Sequence, residues 1–214
     1  MQVAILGLGR FGTQLARELV NLGVDVLAVD RDADRVNELV EKVLLGAEGN
    51  VTDVEFLESL SLHTYDTVVV AIGSDIATSV LVTLTVKQRL RLPHVVAKSS
   101  TEEHSRALEL AGADVVINPE REAAIRLAHT LGSRQVADYM PLSGDYGIAR
   151  VRAPYSATGA KIGDLDITNK YKVFLLARIR GDSVSFNPDL DEVVRTGDSW
   201  IVAGHDRDIL RLQQ

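Results

Sequence analysis

Followed for its apolar positions alone, the first part of the chain alternates two kinds of segment. Short, nearly continuous runs of Val and Ile occupy Val3–Leu6, Val24–Val29, Val43–Leu45, Thr67–Ile72, Val95–Ala97 and Val115–Ile117. They lack the in-out alternation of half-exposed strands and so predict strands buried on both faces of a parallel sheet. Helix-length amphipathic stretches separate them: Arg10–Leu22, Ala33–Lys42, Asp53–Leu60, Ile76–Leu90 and Glu102–Leu110. Thr52-x-x-Glu55 and Ser100-x-x-Glu103 have the spacing of capping boxes, and Gly23 and Gly112 stand where helix stops belong. The pattern predicts a Rossmann-like, doubly wound α/β domain with strand order 3-2-1-4-5-6 and right-handed crossovers.

A further helical stretch follows Pro119 and runs to about Thr130. Gly132 and Ser133 loosen the pattern, and Pro141–Gly144 reads as loop. Beyond it the rhythm changes. Ile148–Val151 and Tyr171–Ile179 read as strands, Gly181-Asp182 as a hairpin turn into Ser183–Phe186, and Ser199–Ala203 as a last strand before a helix at His205–Leu212. We therefore expect two domains, 1–133 and 134–214, the second a small α+β unit.

Charge and composition narrow the function classes. The 214 residues carry a formal net charge of −7 with Lys and Arg scattered, which disfavours a nucleic-acid footprint. There is no cysteine, hence no disulfide framework and no thiolate chemistry. The longest apolar helix candidate, Ile76–Val86, is short and carries Thr78, Ser79, Thr83 and Thr85, so no membrane-spanning helix is expected. No basic segment precedes the first strand, which argues against a signal peptide.

The chemistry concentrates at "GLGRFG". Gly7, Gly9 and Gly12 form G-x-G-x-x-G between a strand and a helix, and the acid Asp30 ends the second strand. Gly7 permits the tight turn, Gly9 lets backbone approach a phosphate, and Gly12 lets the helix pack closely. The helix N-terminus offers free N–H groups to an anion, and Asp30 can accept from ribose hydroxyls while repelling a 2′-phosphate. Arg10, inside the loop, either faces solvent or meets a further phosphate. Glu120, after Asn118-Pro119, is either a first-turn helix acid or a carboxylate beside polyphosphate that needs a bridging cation. Lys98, ending the fifth strand, adds positive charge or snorkels. Asn50 faces an adenine edge or serves as a turn residue. The five histidines make no metal-ligand spacing, and no nucleophile elbow or P-loop is present. The sequence thus offers no catalytic constellation.

Taken together, "AILGLGRFG", "VLAVDRD", "VVVAIGSD", "GADVVINPERE" and the C-terminal hairpin unit resemble the RCK (KTN) proteins over nearly the whole chain. The likeness is strongest to the cytosolic regulatory subunits of Ktr/Trk-type potassium uptake systems, of the single-copy Ktr type. The resemblance implies homodimers that assemble into an octameric ring on a membrane-embedded potassium-translocating subunit. It implies a cytoplasmic protein at the inner face of the membrane, and binding of ATP or ADP, with NAD(H) as a further ligand. It implies a binding set of Gly7, Gly9, Arg10, Phe11, Gly12, Asp30, Arg31, Asn50, Ile72, Gly73, Lys98 and Glu120. Within that set Arg10 would meet the ATP γ-phosphate and Glu120 a divalent cation, Mg²⁺ or Ca²⁺. Some members bind cyclic di-AMP through an arginine in the C-terminal domain, and Thr168 stands at that position here. Two alternatives stay open: a small NAD-dependent oxidoreductase, and an RCK regulator of a potassium channel or cation/proton antiporter.

Overall fold

The computed structural model describes residues Met1–Leu212. The chain divides into two compact units, Met1–Glu120 and Arg121 onward.

In the first unit the apolar runs become the strands β1 (Gln2–Leu6), β2 (Asp25–Asp30), β3 (Leu45–Glu48), β4 (Thr67–Val70), β5 (Val95–Lys98) and β6 (Val115–Ile117). All pair in parallel, in the order β3-β2-β1-β4-β5-β6, as the pattern predicts. The connecting helices are α1 (Arg10–Asn21), α2 (Ala33–Asn37), α3 (Val54–Ser59), α4 (Ile76–Leu84) and α5 (Glu102–Leu110). The period of two along each strand sends alternate residues to opposite layers. Ala4, Leu6, Leu27, Val29, Val68 and Val70 pack with Leu57, Val82 and Leu108, from α3, α4 and α5. Val3, Ile5, Val26, Ala28 and Val69 pack with Ala16 of α1 and Val36 of α2 on the other face. Every strand of the sheet's centre is therefore covered twice, which is why its runs are apolar without alternation.

Several local expectations are corrected. The regular part of the second helix ends at Asn37, and turns follow. Val36, Leu39 and Val43 keep the helical spacing because all three fill one core cluster. The third strand lies at Leu45–Glu48 rather than at Val43–Leu45, and Gly46 lets it pass under α2: a Cβ there would stand 2.8 Å from Val36 Cγ1. The helix caps are Asp53 and Thr101, each one residue later than the expected Thr52 and Ser100. Asp53 accepts from the N–H groups of Glu55 and Phe56, and Thr101 accepts from that of His104. Thr52 instead donates its N–H and Oγ1 to Asn50 Oδ1, and Ser100 donates its N–H to His104 Nδ1. The fourth helix leaves α geometry at Leu84 for a wider π turn at Thr85–Arg89, closed by Leu90 N–H to Thr85 O and followed by left-handed Arg91 (φ 55°). Gly23 and Gly112 end their helices at φ 77° and 99°, as expected.

The helix α6 (Pro119–Gly132) begins at the division between the units, so most of it lies on the second side rather than in a domain ending at residue 133. The second unit continues with β7 (Val136–Ser143), β8 (Tyr146–Arg152), α7 (Ile167–Tyr171), β9 (Val173–Arg180), β10 (Ser183–Phe186), β11 (Ser199–His205) and α8 (Asp206–Arg211). Its sheet is antiparallel in the order β10-β9-β11-β8-β7, with Trp200 fully buried in its core. Of the expected loop at Pro141–Gly144, Pro141–Ser143 are instead the end of β7, and Gly144 opens the turn that follows, at φ 55°. That strand is an edge, the place in a sheet where proline is tolerated, and its register with β8 is irregular between Pro141 and Ser143. Among the described residues no helix is long and apolar enough to cross a membrane.

Candidate functional site

The glycine loop is built by backbone constraints. After β1, Gly7 turns at φ 106° and donates its N–H to Val29 O at 2.8 Å. The first turn of α1 then lies directly on this loop: a Cβ on Gly12 would stand 2.0 Å from Gly7 O. Gly9 differs. Its φ of −67° suits any residue, and a Cβ there would meet nothing within 4 Å. The fold therefore requires Gly7 and Gly12 but not Gly9. The helix that follows has no side-chain cap and no acid in its first turn, so its leading N–H groups remain available to an anion.

Asp30 ties this loop to the end of β2. Its side chain is 7% exposed; Oδ2 accepts from Leu8 N–H at 2.6 Å and Oδ1 from Asp32 N–H at 3.0 Å. A carboxylate has about four lone-pair positions, so two remain for hydroxyl donors. Arg35 comes to 3.6 Å from Asp30. Across the opening, Asp75 caps α4, accepting from Thr78 N–H and Oγ1, and its pKa is held low by those bonds and by the charge of Arg31. Asn50 accepts from both Thr52 N–H and Thr52 Oγ1, an Asx turn that fixes the β3–α3 connection.

At the far end, Lys98 and Glu120 form an ion pair, Nζ to Oε1 at 2.9 Å. The lysine side chain is 11% exposed and the glutamate 66%. The Lys98 hydrogen bond lowers the pKa of Glu120, and the charge of Arg10 acts in the same direction. Gly73 leaves the corridor for this lysine, since a Cβ there would stand 2.7 Å from Nζ. The loop beyond Lys98 is anchored by buried His104, whose Nδ1 accepts from Ser100 N–H at 3.2 Å. Burial, then the Lys98 charge, depresses the His104 pKa from 6.5. The unfolded chain therefore binds the extra proton first, and stability contributed by neutral His104 is lost as pH falls below 6.5. We expect the melting temperature to decline over that acid window and the decline to be reduced in His104→Gln. Equal slopes for both proteins would remove this role.

These groups line one open cleft of about 690 Å³. Of the candidate residues, Gly7, Gly9, Arg10, Phe11, Asp30, Arg31, Asn50, Ile72, Gly73, Lys98 and Glu120 all line it. Gly12 does not, consistent with its packing role. Arg10, Arg31, Arg35 and Lys98 bring four cations to a wall that also carries the carboxylates Asp30, Asp75 and Glu120, a small positive excess in a chain whose net charge is negative. That arrangement suits a polyanion with an apolar or aromatic portion.

Residues 3–119 match the TrkA-N domain family. The chain belongs to the TrkA-N family. It is 37% identical over 213 residues to the Ktr system potassium uptake protein C of Bacillus subtilis (strain 168), covering 100% of this chain and 96% of that relative. It is 34% identical over 203 residues to the Ktr system potassium uptake protein A of Vibrio alginolyticus, covering 95% and 92%. Among solved structures, the GsuK RCK domain superposes with a TM-score of 0.67 at 20% identity, over 99% of this chain and 47% of that one. The GsuK channel bound to NAD gives the same score and identity over 99% and 38%.

In this TrkA-N chain the sequence reading missed Arg35, Thr52, Asp75, Thr78 and Ser100 as wall residues. Arg35 had a signal, being a base in the helix that follows an acid that ends a strand, five positions on. Thr52 and Ser100 reach it from loops, and Asp75 and Thr78 from the start of α4, through placement that spacing does not encode. Glu120 supplies one carboxylate, already engaged by Lys98, and among the described residues no group of three His, Asp or Glu is placed to hold a metal.

Proposed function

We propose that this chain is a nucleotide-responsive regulatory subunit of a potassium uptake system, and not an enzyme. The cleft takes ATP or ADP, with NAD(H) as a further occupant, and its occupancy sets the activity of a membrane-embedded potassium-translocating subunit. The observation that carries this reading is Arg10: an exposed guanidinium at the first position of α1, beside an uncapped helix N-terminus and a phosphate-type glycine loop. Such a cation adds to a pyrophosphate site the means to sense one phosphate more. Asp30, with lone pairs to spare, supports a ribose and disfavours a 2′-phosphate.

The names of the relatives support the partner: potassium uptake proteins of Ktr systems match along the whole chain. In this reading the chain works in the cytoplasm as homodimers assembled into a ring of eight, held at the inner membrane face by that partner. Sensing needs only differential affinity between two states, with no bond broken.

A thermal-shift panel of ATP, ADP, NADH and NAD on the purified chain tests the cleft. A ligand at about 100 times its Kd should add about 2.7 kcal/mol of stability. Stabilisation by ATP and ADP is expected. Stabilisation by NADH alone, with turnover of a hydride acceptor, would instead support the oxidoreductase reading.

A further inference from the structure

Ser100 lines the cleft, and a buried imidazole holds it there. β5 ends at Lys98, and a short turn leads from it into α5. One side of that turn is tied to the sheet: Ser99 donates its N–H to Ile117 O at 2.8 Å and its Oγ to the same oxygen at 3.1 Å. Ser100 has a different anchor. Its N–H donates to His104 Nδ1 at 3.2 Å, and its Oγ stands at the same distance from that nitrogen. An accepting Nδ1 places the ring proton on Nε2, which is buried without a hydrogen-bond partner. Burial, then the charge of Lys98 from the end of β5, opposes a second proton. α4 and β6, also packed on α5, carry no charged residue, and Glu102, Glu103 and Arg106 of α5 itself are exposed. A proton forced onto Nδ1 in acid turns the acceptor into a donor. Ser100 N–H then faces a second donor and must turn away, while Ser99 stays tied to Ile117.

We propose that His104 is a positioning residue of the cleft: neutral, it fixes Ser100 in the wall, and protonated, it releases Ser100 and weakens ligand binding. The inference rests on the cleft being a nucleotide site. Neither His104 nor any other histidine lines the cleft, so the response to pH passes through Ser100 rather than through an imidazole at the ligand. A histidine that only supports the fold would move the melt and leave the affinity of the folded chain indifferent to its charge.

The test is the ATP affinity of the full chain by titration calorimetry from about pH 7.5 to about pH 5, for wild type, His104→Asn and His104→Leu. The asparagine oxygen stands near the place of Nδ1 and accepts without titrating. The readout is the ratio of wild-type Kd to His104→Asn Kd at each pH, in which the titration of ATP itself cancels. We expect that ratio to stay flat above pH 6.5 and to rise about tenfold at the acid end, the effect of leaving a backbone donor unpaired. His104→Leu, with no acceptor, should bind weakly even at neutral pH. A flat ratio overturns the proposal, as does one that falls in acid because bound phosphates draw the proton in, or a leucine variant with wild-type affinity. Should the variants fail to fold, wild type decides by NMR of the His104 ring. Saturating ATP must lower the midpoint of its titration, because affinity and protonation are linked reciprocally. An unmoved or raised midpoint overturns the proposal. Wild type that binds ATP at no pH would overturn the nucleotide reading itself. Wild type that binds ATP with a flat ratio would overturn only the role of His104.

Discussion

Gly12→Ala should cost the protein about 3 kcal/mol of stability, roughly 10 °C in melting temperature, while Gly9→Ala should leave the melt nearly unchanged. The two glycines belong to one motif, and their geometries part them. A Cβ on Gly12 falls 2.0 Å from Gly7 O and 3.3 Å from Ala71 Cβ, so relief requires backbone of the loop or of α1 to move. No flexible side chain can absorb the clash, and the loop it displaces is the one pinned by Leu8 N–H to Asp30. At Gly9 the added methyl meets only open space, and φ is ordinary. The small gain from stiffening the unfolded chain roughly offsets the poorer helix cap that alanine makes. What Gly9→Ala should change is ligand binding, because the methyl stands where phosphate oxygens must approach backbone N–H groups. Calorimetric melts with and without ATP check both. A Gly9→Ala protein that melts like wild type and still gains full stabilisation from ATP would show that the nucleotide phosphates lie elsewhere.

The architecture was largely legible because it rests on burial. Strands covered on both faces must be apolar throughout, and Val3–Leu6 or Val95–Ala97 can be little else. Legibility fell where tertiary packing rather than period decides. Leu45–Glu48 is an edge strand with partly exposed side chains, so its apolar signal is thin, and Val43 next to it is a core residue outside any strand. Pro141 punctuates a sequence but not an edge strand. In the site, the residues given by local spacing, such as Gly7 and Gly12, could be read along the chain. Interactions made by register could not. Lys98 and Glu120 are 22 positions apart, and only the β5–β6 pairing and the small Gly73 bring them together. The same holds for Asp30 and Leu8, also 22 apart, whose bond couples the end of β2 to the glycine loop.

Arg10→Ala should lower the preference for ATP over ADP by about ten- to a hundredfold, while ADP affinity changes little. Arg10 is the first residue of α1, exposed, and near enough to Glu120 for its charge to be felt there. The phosphates common to both nucleotides can be met by loop and helix N–H groups, which leaves the guanidinium for the terminal one. A charge-assisted Arg–phosphate bond is worth about 1.5–3 kcal/mol, which sets the expected range. Moving a two-state ring from mostly off to mostly on needs about 5.5 kcal/mol in all, or about 0.7 kcal/mol at each of eight concerted sites. In the ring of eight proposed above, one Arg10 contact per chain would exceed that, and neither hydrolysis nor a second discriminating residue would be needed. Titration of both nucleotides into wild type, Arg10→Ala and Arg10→Lys provides the measurement. Lysine keeps the charge but not the fork, and should recover part of the preference. If alanine weakens ATP and ADP equally, Arg10 holds the shared phosphates, and the counting of phosphates must fall to the Lys98–Glu120 end of the cleft.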